Sequence, residues 1–141
     1  MDVVGKGAYG IVKKVDKNTV RKISTWEMEE LFSSIVNEIS TLKCIYKCPN
    51  LINVNSIVLD PISHTSYINL PMYNKRLTDF SSLTNDEIFK VFSQVTNALL
   101  YLGNRDIIHG DLNTNNIMIN GFDDVVVIDF GERLKSVLTS F

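Results

Sequence analysis

The chain has 141 residues, 45% of them hydrophobic and 21% charged, with a formal charge of −2 at pH 7. This is the composition of one globular domain large enough to bury a core, and it excludes a collagenous, disordered or membrane-spanning chain. The slightly acidic balance leaves no basic footprint for nucleic acid. Two cysteines, Cys44 and Cys48, make no secreted disulfide framework and have no second Cys or His pair with which to bind metal, so structural thiols are expected. MDVVGKGAYG has no charged segment followed by an apolar one, so no signal peptide is read. The expected location is cytoplasmic, with no membrane contact.

The chain opens on Gly5-Lys6-Gly7-Ala8-Tyr9-Gly10, a G-x-G-x-x-G string. Glycines let a turn approach phosphate oxygens closely, with backbone N–H groups aimed at them. A dinucleotide-binding fold would need a strand before this string and a helix after it. Only four residues precede Gly5, and IVKKV, a turn at Asp16-Lys17-Asn18 and TVRKI follow. The flanks therefore favour a strand, a glycine turn and a second strand closing over phosphates. The alternative is a plain flexible turn. Lys22 ends this hairpin, and strand alternation sends Arg21 to solvent if Lys22 faces inward. Alone, Lys22 reads as a solvated surface lysine.

A helix is expected next. Ser24-x-x-Glu27 has the form of a capping box, and Met28, Leu31, Ile35, Ile39 and Leu42 recur at spacings of three and four. Glu38 lies beside that stripe, sixteen residues after Lys22, and Pro49 stops the helix. Strands are expected at Asn55–Leu59 and Ser66–Leu70, around a loop holding Pro61 and His64. Pro71-Met72-Tyr73-Asn74 and Leu77-Thr78-Asp79-Phe80 then read as connections. Thr84-x-x-Glu87 is a second capping box. Ile88, Val91, Phe92, Val95, Leu99 and Leu102 supply the expected buried stripe of the helix that follows, and Gly103-Asn104 ends it.

The most informative stretch is Ile107–Gly131, two polar clusters joined by a tight hairpin. His109-Gly110-Asp111-Leu112 is followed by Asn116, and the apolar run Val125–Ile128 leads into Asp129-Phe130-Gly131. Phosphoryl transfer on a kinase scaffold needs such a set. One aspartate accepts the proton of the attacking hydroxyl, an asparagine holds Mg²⁺, and a second aspartate bridges metal to phosphates.

Six signals in one order resemble the protein kinase family: the glycine loop, Lys22, Glu38, the connector at Pro71, His109–Asn116 and Asp129–Gly131. The resemblance covers nearly the whole chain. It implies an α+β fold, with a small β-rich N-lobe (1–70) carrying one helix, a hinge (71–75) and a partial C-lobe (76–141). It implies ATP and Mg²⁺ as cofactors. Asp111 would be the catalytic aspartate, and Lys22 paired with Glu38 would grip the α- and β-phosphates. Asn116 and Asp129 would be the metal ligands. Gly5, Lys6, Gly7, Gly10, Val12 and Val20 would form the pocket roof and Leu70 its back. Pro71, Met72 and Tyr73 would lie along the adenine edge, and Met118 would be the floor. Lys47-Cys48-Pro49-Asn50-Leu51-Ile52 resembles the H-P-N-I-V turn after the family's first helix.

The departures are specific. Gly110 stands where most of the family has an arginine that binds an activation-loop phosphate. Asn113 stands where serine/threonine kinases usually place a lysine that steadies the transferred phosphate. HGDLNTNN is also similar to the loop of the small atypical kinase of the KEOPS tRNA-modification complex. Only ten residues, Glu132 to Phe141, follow Gly131. The expectation is a minimal, C-terminally truncated kinase-like protein, similar to truncated forms known from viruses. Serine/threonine phosphotransfer weakened by that truncation is the main reading. A pseudokinase or kinase mimic that binds and regulates a full-length kinase is the other. The outer face of the helix Asn85–Leu102 is expected to be covered in part by Leu134, Val137, Leu138 and Phe141, and otherwise by a homodimer or a partner kinase.

Overall fold

The computed structural model describes residues 3–7, 10–27 and 29–128 of the chain. Asp129, Phe130, Gly131, the tail residues Leu134, Val137, Leu138 and Phe141, and also Met28, lie outside the described residues.

Five strands form the first sheet. They are β1 (Val3–Gly7), β2 (Gly10–Asp16), β3 (Thr19–Thr25), β4 (Ser56–Asp60) and β5 (Thr65–Pro71), in the order β1-β2-β3-β5-β4, each pair antiparallel. The helix α1 (Glu29–Cys44) is inserted between β3 and β4. A second sheet contains β6 (Lys75–Arg76), β7 (Ile117–Ile119) and β8 (Val125–Val127), and the long helix α2 (Asn85–Gly103) packs on it. Short 3₁₀ turns occupy Leu77–Asp79 and Thr114–Asn116. This is the expected α+β, protein kinase-like arrangement of a small β-rich unit with one helix, followed by a helical unit with a hairpin.

Two local expectations are corrected. Ser24 does not cap α1, because it is still a strand residue of β3, paired with Ser66 and buried at 1% exposure. A serine three residues before a glutamate meets the capping pattern, yet the ladder to β5 holds the backbone extended through Thr25. In α2, the buried residues are Val91, Ala98 and Leu102, with Val95 partly buried, while Ile88, Phe92 and Leu99 are exposed. The helix carries two apolar stripes at helical spacing. Strand β8 covers only the one running 91-95-98-102.

The core is continuous between the two sheets. Leu42, Ile45, Cys48, Leu51, Ile68, Ala98, Leu102, Ile107 and Val127 form one buried cluster, which draws on α1, β5, α2 and β8. Asn50, in the loop after α1, adds a polar joint. Its side-chain amide donates to the Gln94 side chain (3.1 Å) and to the Val125 carbonyl (2.9 Å), and its oxygen accepts from Asn97 (2.8 Å). Gln94 in turn accepts from the Val125 N–H (3.1 Å) and donates to the Phe122 carbonyl (2.6 Å). Arg105 Nε donates to the Cys44 carbonyl at 3.0 Å, satisfying a C-terminal group of α1 from beyond α2. Cys44 is exposed and Cys48 buried, both as free thiols. Among the described residues no helix is long and apolar enough to cross a membrane.

Candidate active site

The site is assembled first by strand register. Side chains directly opposite on antiparallel strands share a face, as do residues two apart on one strand. Val12 is opposite Lys22, Val20 is opposite Leu70, and Lys22 is opposite Ile68. Val12, Val20, Lys22 and Leu70 therefore line one face of the first sheet. Arg21 takes the other face, where its guanidinium donates to Asn69 (2.8 Å) and lies over the Tyr67 ring. Gly5, Gly7 and Gly10 belong to the β1–β2 ladder, with Gly7 opposite Gly10; the side chain of Lys6 is outside the described part. The helix α1 lies on the Lys22 face. There Lys22 Nζ is 2.7 Å from Glu38 Oε1, with both side chains about three-quarters buried, at 27% and 25% exposure. The contact that the family resemblance implied between these two residues is thus present as geometry.

The connector between the sheets is held from both sides. The Met72 N–H donates to the Asn18 carbonyl at 2.8 Å. This makes Pro71 and Thr19 a non-hydrogen-bonded pair, in which the Pro71 carbonyl points away from β3. β4 reaches only as far as Asn69, so proline's missing N–H leaves no ladder bond broken. The Met72 carbonyl accepts from the Asn120 side chain (3.0 Å), and the Asn74 N–H donates to the same side chain (2.9 Å). No hydrogen bond among the described residues engages the Pro71 carbonyl or the Tyr73 N–H. The Tyr73 hydroxyl donates to Asp124 Oδ1 at 2.9 Å. Burial, and then the Asp124 carboxylate, push the Tyr73 phenol well above its ordinary range.

The loop from His109 to Asn116 is braced by its own side chains. His109 is 4% exposed; its Nε2 lies 2.6 Å from the Ile128 carbonyl, and its Nδ1 accepts from the Asp111 N–H at 3.1 Å. With Nδ1 accepting from the Asp111 N–H, Nε2 is the ring nitrogen placed to donate to the Ile128 carbonyl. Gly110 takes φ +82°, the left-handed region that glycine enters without penalty. The Asp111 carbonyl accepts from Asn116 (2.7 Å) and from Asn113 (3.1 Å), while the Asp111 side chain is exposed. Asn113 Oδ1 also accepts from the Asn115 N–H at 2.8 Å, so both ends of Asn113 are engaged within the loop. Asn116 is buried and donates through its nitrogen, leaving its side-chain oxygen without a hydrogen bond among the described residues.

Met118 lies opposite Val126 and Arg76 on the face of the second sheet away from α2; Ile117 and Ile119 are buried against the helix. Asp129 directly follows β8 and lies outside the described residues. Among the described residues no three His, Cys, Asp or Glu side chains gather as a metal centre. A sheet face with a paired lysine, a connector with one acceptor and one donor unengaged among the described residues, and a buried asparagine whose amide oxygen has no hydrogen bond among those residues suit a magnesium-bound nucleotide. Hard oxygen donors suit Mg²⁺. The sequence assigns no site role to Asn50, Gln94 or Asn120, whose only signal is amide type beside turns and in a helix interior, and none to Asn18, which acts through its backbone carbonyl and so carries no side-chain signal.

A sequence profile of the protein kinase domain matches residues 1–136. The chain is 26% identical to the mitogen-activated protein kinase mpk-1 of Caenorhabditis elegans, over 93% of this chain and 32% of that protein. It is 28% identical to the serine/threonine-protein kinase dst4 of Dictyostelium discoideum, over 100% of this chain and 31% of that protein. It is 29% identical to a putative serine/threonine-protein kinase, L673, of Acanthamoeba polyphaga mimivirus, over 91% of this chain and 25% of that protein. The chain thus spans about a third or less of the length of these relatives. With the profile matching almost end to end and the element order of that domain in the structure, the chain belongs to the protein kinase family.

Proposed function

We propose that this protein binds ATP with Mg²⁺ between its two sheets and transfers the terminal phosphoryl group to serine or threonine hydroxyls. The observation that carries this reading is the 2.7 Å pair between Lys22 and Glu38 on the face shared with Val12, Val20 and Leu70. In this reading residues 1–70 form one lobe, 71–75 the hinge, and 76 onward the second lobe. Lys22, held by Glu38, binds phosphate oxygens beneath the glycine turn Gly5–Gly10. Val12, Val20, Leu70 and Met118 enclose the purine, and Pro71, Met72 and Tyr73 run along its edge. Asn116, whose amide oxygen has no hydrogen bond among the described residues, would hold the metal alongside Asp129. Asp111 takes the proton of the acceptor hydroxyl.

Bound MgATP supplies the phosphoryl donor. The protein's task is placement and charge stabilisation. Asn113 is neutral and brings no cation to the reacting phosphate, and both ends of its amide are engaged within the loop. Transfer is accordingly slow. Wild type should show a raised melting temperature in millimolar MgATP, because a ligand bound only by the folded state stabilises it. It should also incorporate labelled phosphate. Lys22→Met should lose most of the thermal shift, whereas Asp111→Asn should keep the shift and lose transfer. No shift for wild type would end the nucleotide reading. Equal label in wild type and Asp111→Asn would end the catalytic one.

A second reading, a regulator that binds a full-length kinase or a second copy of itself, is favoured by one observation. On α2, Phe89 and Phe92 are both 69% exposed, in line with Ile88, Leu99 and Leu100. Contiguous apolar surface of this kind is characteristic of interaction sites.

A further inference from the structure

Asn120 precedes Gly121, and an Asn-Gly pair between two short strands is ordinarily read as turn chemistry. The turn does close here on backbone bonds, with the Asn120 N–H donating to the Asp124 carbonyl and the Asp124 N–H to the Gly121 carbonyl, both at 3.0 Å. The Asn120 side chain takes no part in it. Both ends of its amide reach a segment more than forty residues earlier: the nitrogen donates to the Met72 carbonyl and the oxygen accepts from the Asn74 N–H. One planar amide can meet the carbonyl of one residue and the N–H of the residue two further on only if both groups point to the same side. β5 ends at Pro71 and β6 begins at Lys75, and when the alternation of those strands is carried through the three residues between them, the N–H and carbonyl of the middle residue point to the opposite side. That residue is Tyr73. Its side chain is tied to Asp124, the other residue that closes the same turn. On the first-sheet side, the Asn18 carbonyl holds the Met72 N–H.

We infer that Asn120 is a positioning residue: it clasps Met72 and Asn74 so that the Tyr73 N–H and carbonyl face the cleft, and so sets recognition of the purine edge of the nucleotide. The inference rests on the nucleotide reading above. The clasp fixes the direction of one donor and one acceptor before ligand arrives. Preorganisation of this kind improves binding by removing the ordering cost at the moment of association. Its effect is confined to the base. The phosphates are gripped elsewhere, by Lys22 and the glycine turn, so a ligand without a base should be indifferent to Asn120.

The test uses the full chain and two magnesium-bound ligands, ATP and inorganic tripolyphosphate, with binding measured by calorimetry. Asn120→Ala should weaken MgATP binding by about fivefold or more, the loss of roughly one hydrogen bond's net contribution. It should leave tripolyphosphate binding unchanged. Asn120→Asp keeps the acceptor for Asn74 but loses the donor to Met72, and should show the same selective loss while disturbing the turn less. Amide hydrogen exchange reads the clasp without any ligand: Asn74 should be protected in wild type and exposed in Asn120→Ala, with Met72 still protected by Asn18. Equal weakening of both ligands would show that Asn120 merely supports the fold, and unchanged ATP affinity with Asn74 unprotected would show that the clasp sets nothing. Either result overturns the inference while leaving the nucleotide reading standing. If wild type protects Asn74 yet binds neither ligand, the nucleotide reading falls and this inference with it.

Discussion

Tyr73 is half-buried beside a carboxylate, and both features oppose its ionisation. Its folded-state pKa lies above the ordinary value of 10.0. For a group raised on folding, the associated stability is fully present below the unfolded pKa and is lost as pH rises past it. The contribution of Tyr73 to stability should therefore be constant through the neutral range and begin to fall only above about pH 10, while the Tyr73–Asp124 hydrogen bond persists in the folded protein until the phenol itself ionises at higher pH. Phenolate absorbance measured during an alkaline titration should show one of the five tyrosines ionising late. That late step should vanish in Tyr73→Phe and move down in Asp124→Asn. A late step that survives in Tyr73→Phe would assign it to another tyrosine. Single residues were unevenly legible in the sequence. Lys22 and Glu38, each by itself an ordinary solvated charge, were found through their place in the order of the family's motifs. Gly110 was legible only as a missing arginine; that its backbone sits at φ +82° is a property of the loop no composition shows. Asn113 likewise read as a missing lysine, although its amide has a structural task of its own.

The helix α2 carries two kinds of polar contact that differ in what their loss costs. At its start Thr84 Oγ1 accepts from the Glu87 N–H and Glu87 accepts from the Thr84 N–H, a complete capping box on an exposed turn. Removing it with Thr84→Ala exposes the freed N–H to water, so the cost should be about 1 kcal/mol. Gln94 is different. Replacing it with alanine strands the Val125 N–H, the Phe122 carbonyl and part of the Asn50 amide inside the joint between α2 and the hairpin. Unpaired buried groups bear a desolvation penalty, so Gln94→Ala should cost roughly 2–3 kcal/mol. Chemical denaturation of the two variants should rank them in that order. Equal losses would mean that water reaches the joint. The capping box was legible because its residue types and spacing are local. The joint was not, because Asn50 and Gln94 are brought together only by the packing of α2 on β8, forty-four residues apart in sequence. For the same reason periodicity placed an apolar stripe on α2 without deciding which stripe is buried. Strands β4 and β5 fell within a residue of expectation, since alternation and flanking turns are local signals.

At the scale of the whole molecule, the core that joins the two sheets runs through Ile68, Leu102 and Val127 and leaves the far side of α2 open. Ile88, Phe89, Phe92, Leu99 and Leu100 recur at helical spacing on that side, and each is more than a third exposed. Burying apolar surface yields roughly 25 cal/mol per Å², so a face carrying two phenylalanines has a sizeable driving force for covering itself. No such force acts at the mixed, largely polar face around Lys90, which pairs with Asp86 at 3.7 Å and Asp123 at 3.4 Å. If the open stripe is an interaction surface, its residues are dispensable for folding but not for association. Phe89→Ser combined with Phe92→Ser should then leave the unfolding midpoint within a few degrees of wild type, as expected for exposed sites. It should also reduce the fluorescence of a bound hydrophobic dye and lower the concentration-dependent mass seen by light scattering. Wild type that scatters as a monomer at high concentration would remove self-association as the reason for the stripe. A double variant that unfolds many degrees earlier would show instead that these phenylalanines belong to the core. The nucleotide affinity of the double variant should match wild type, because Phe89 and Phe92 lie on the exposed side of α2 while Val91, Val95, Ala98 and Leu102 join the helix to the core.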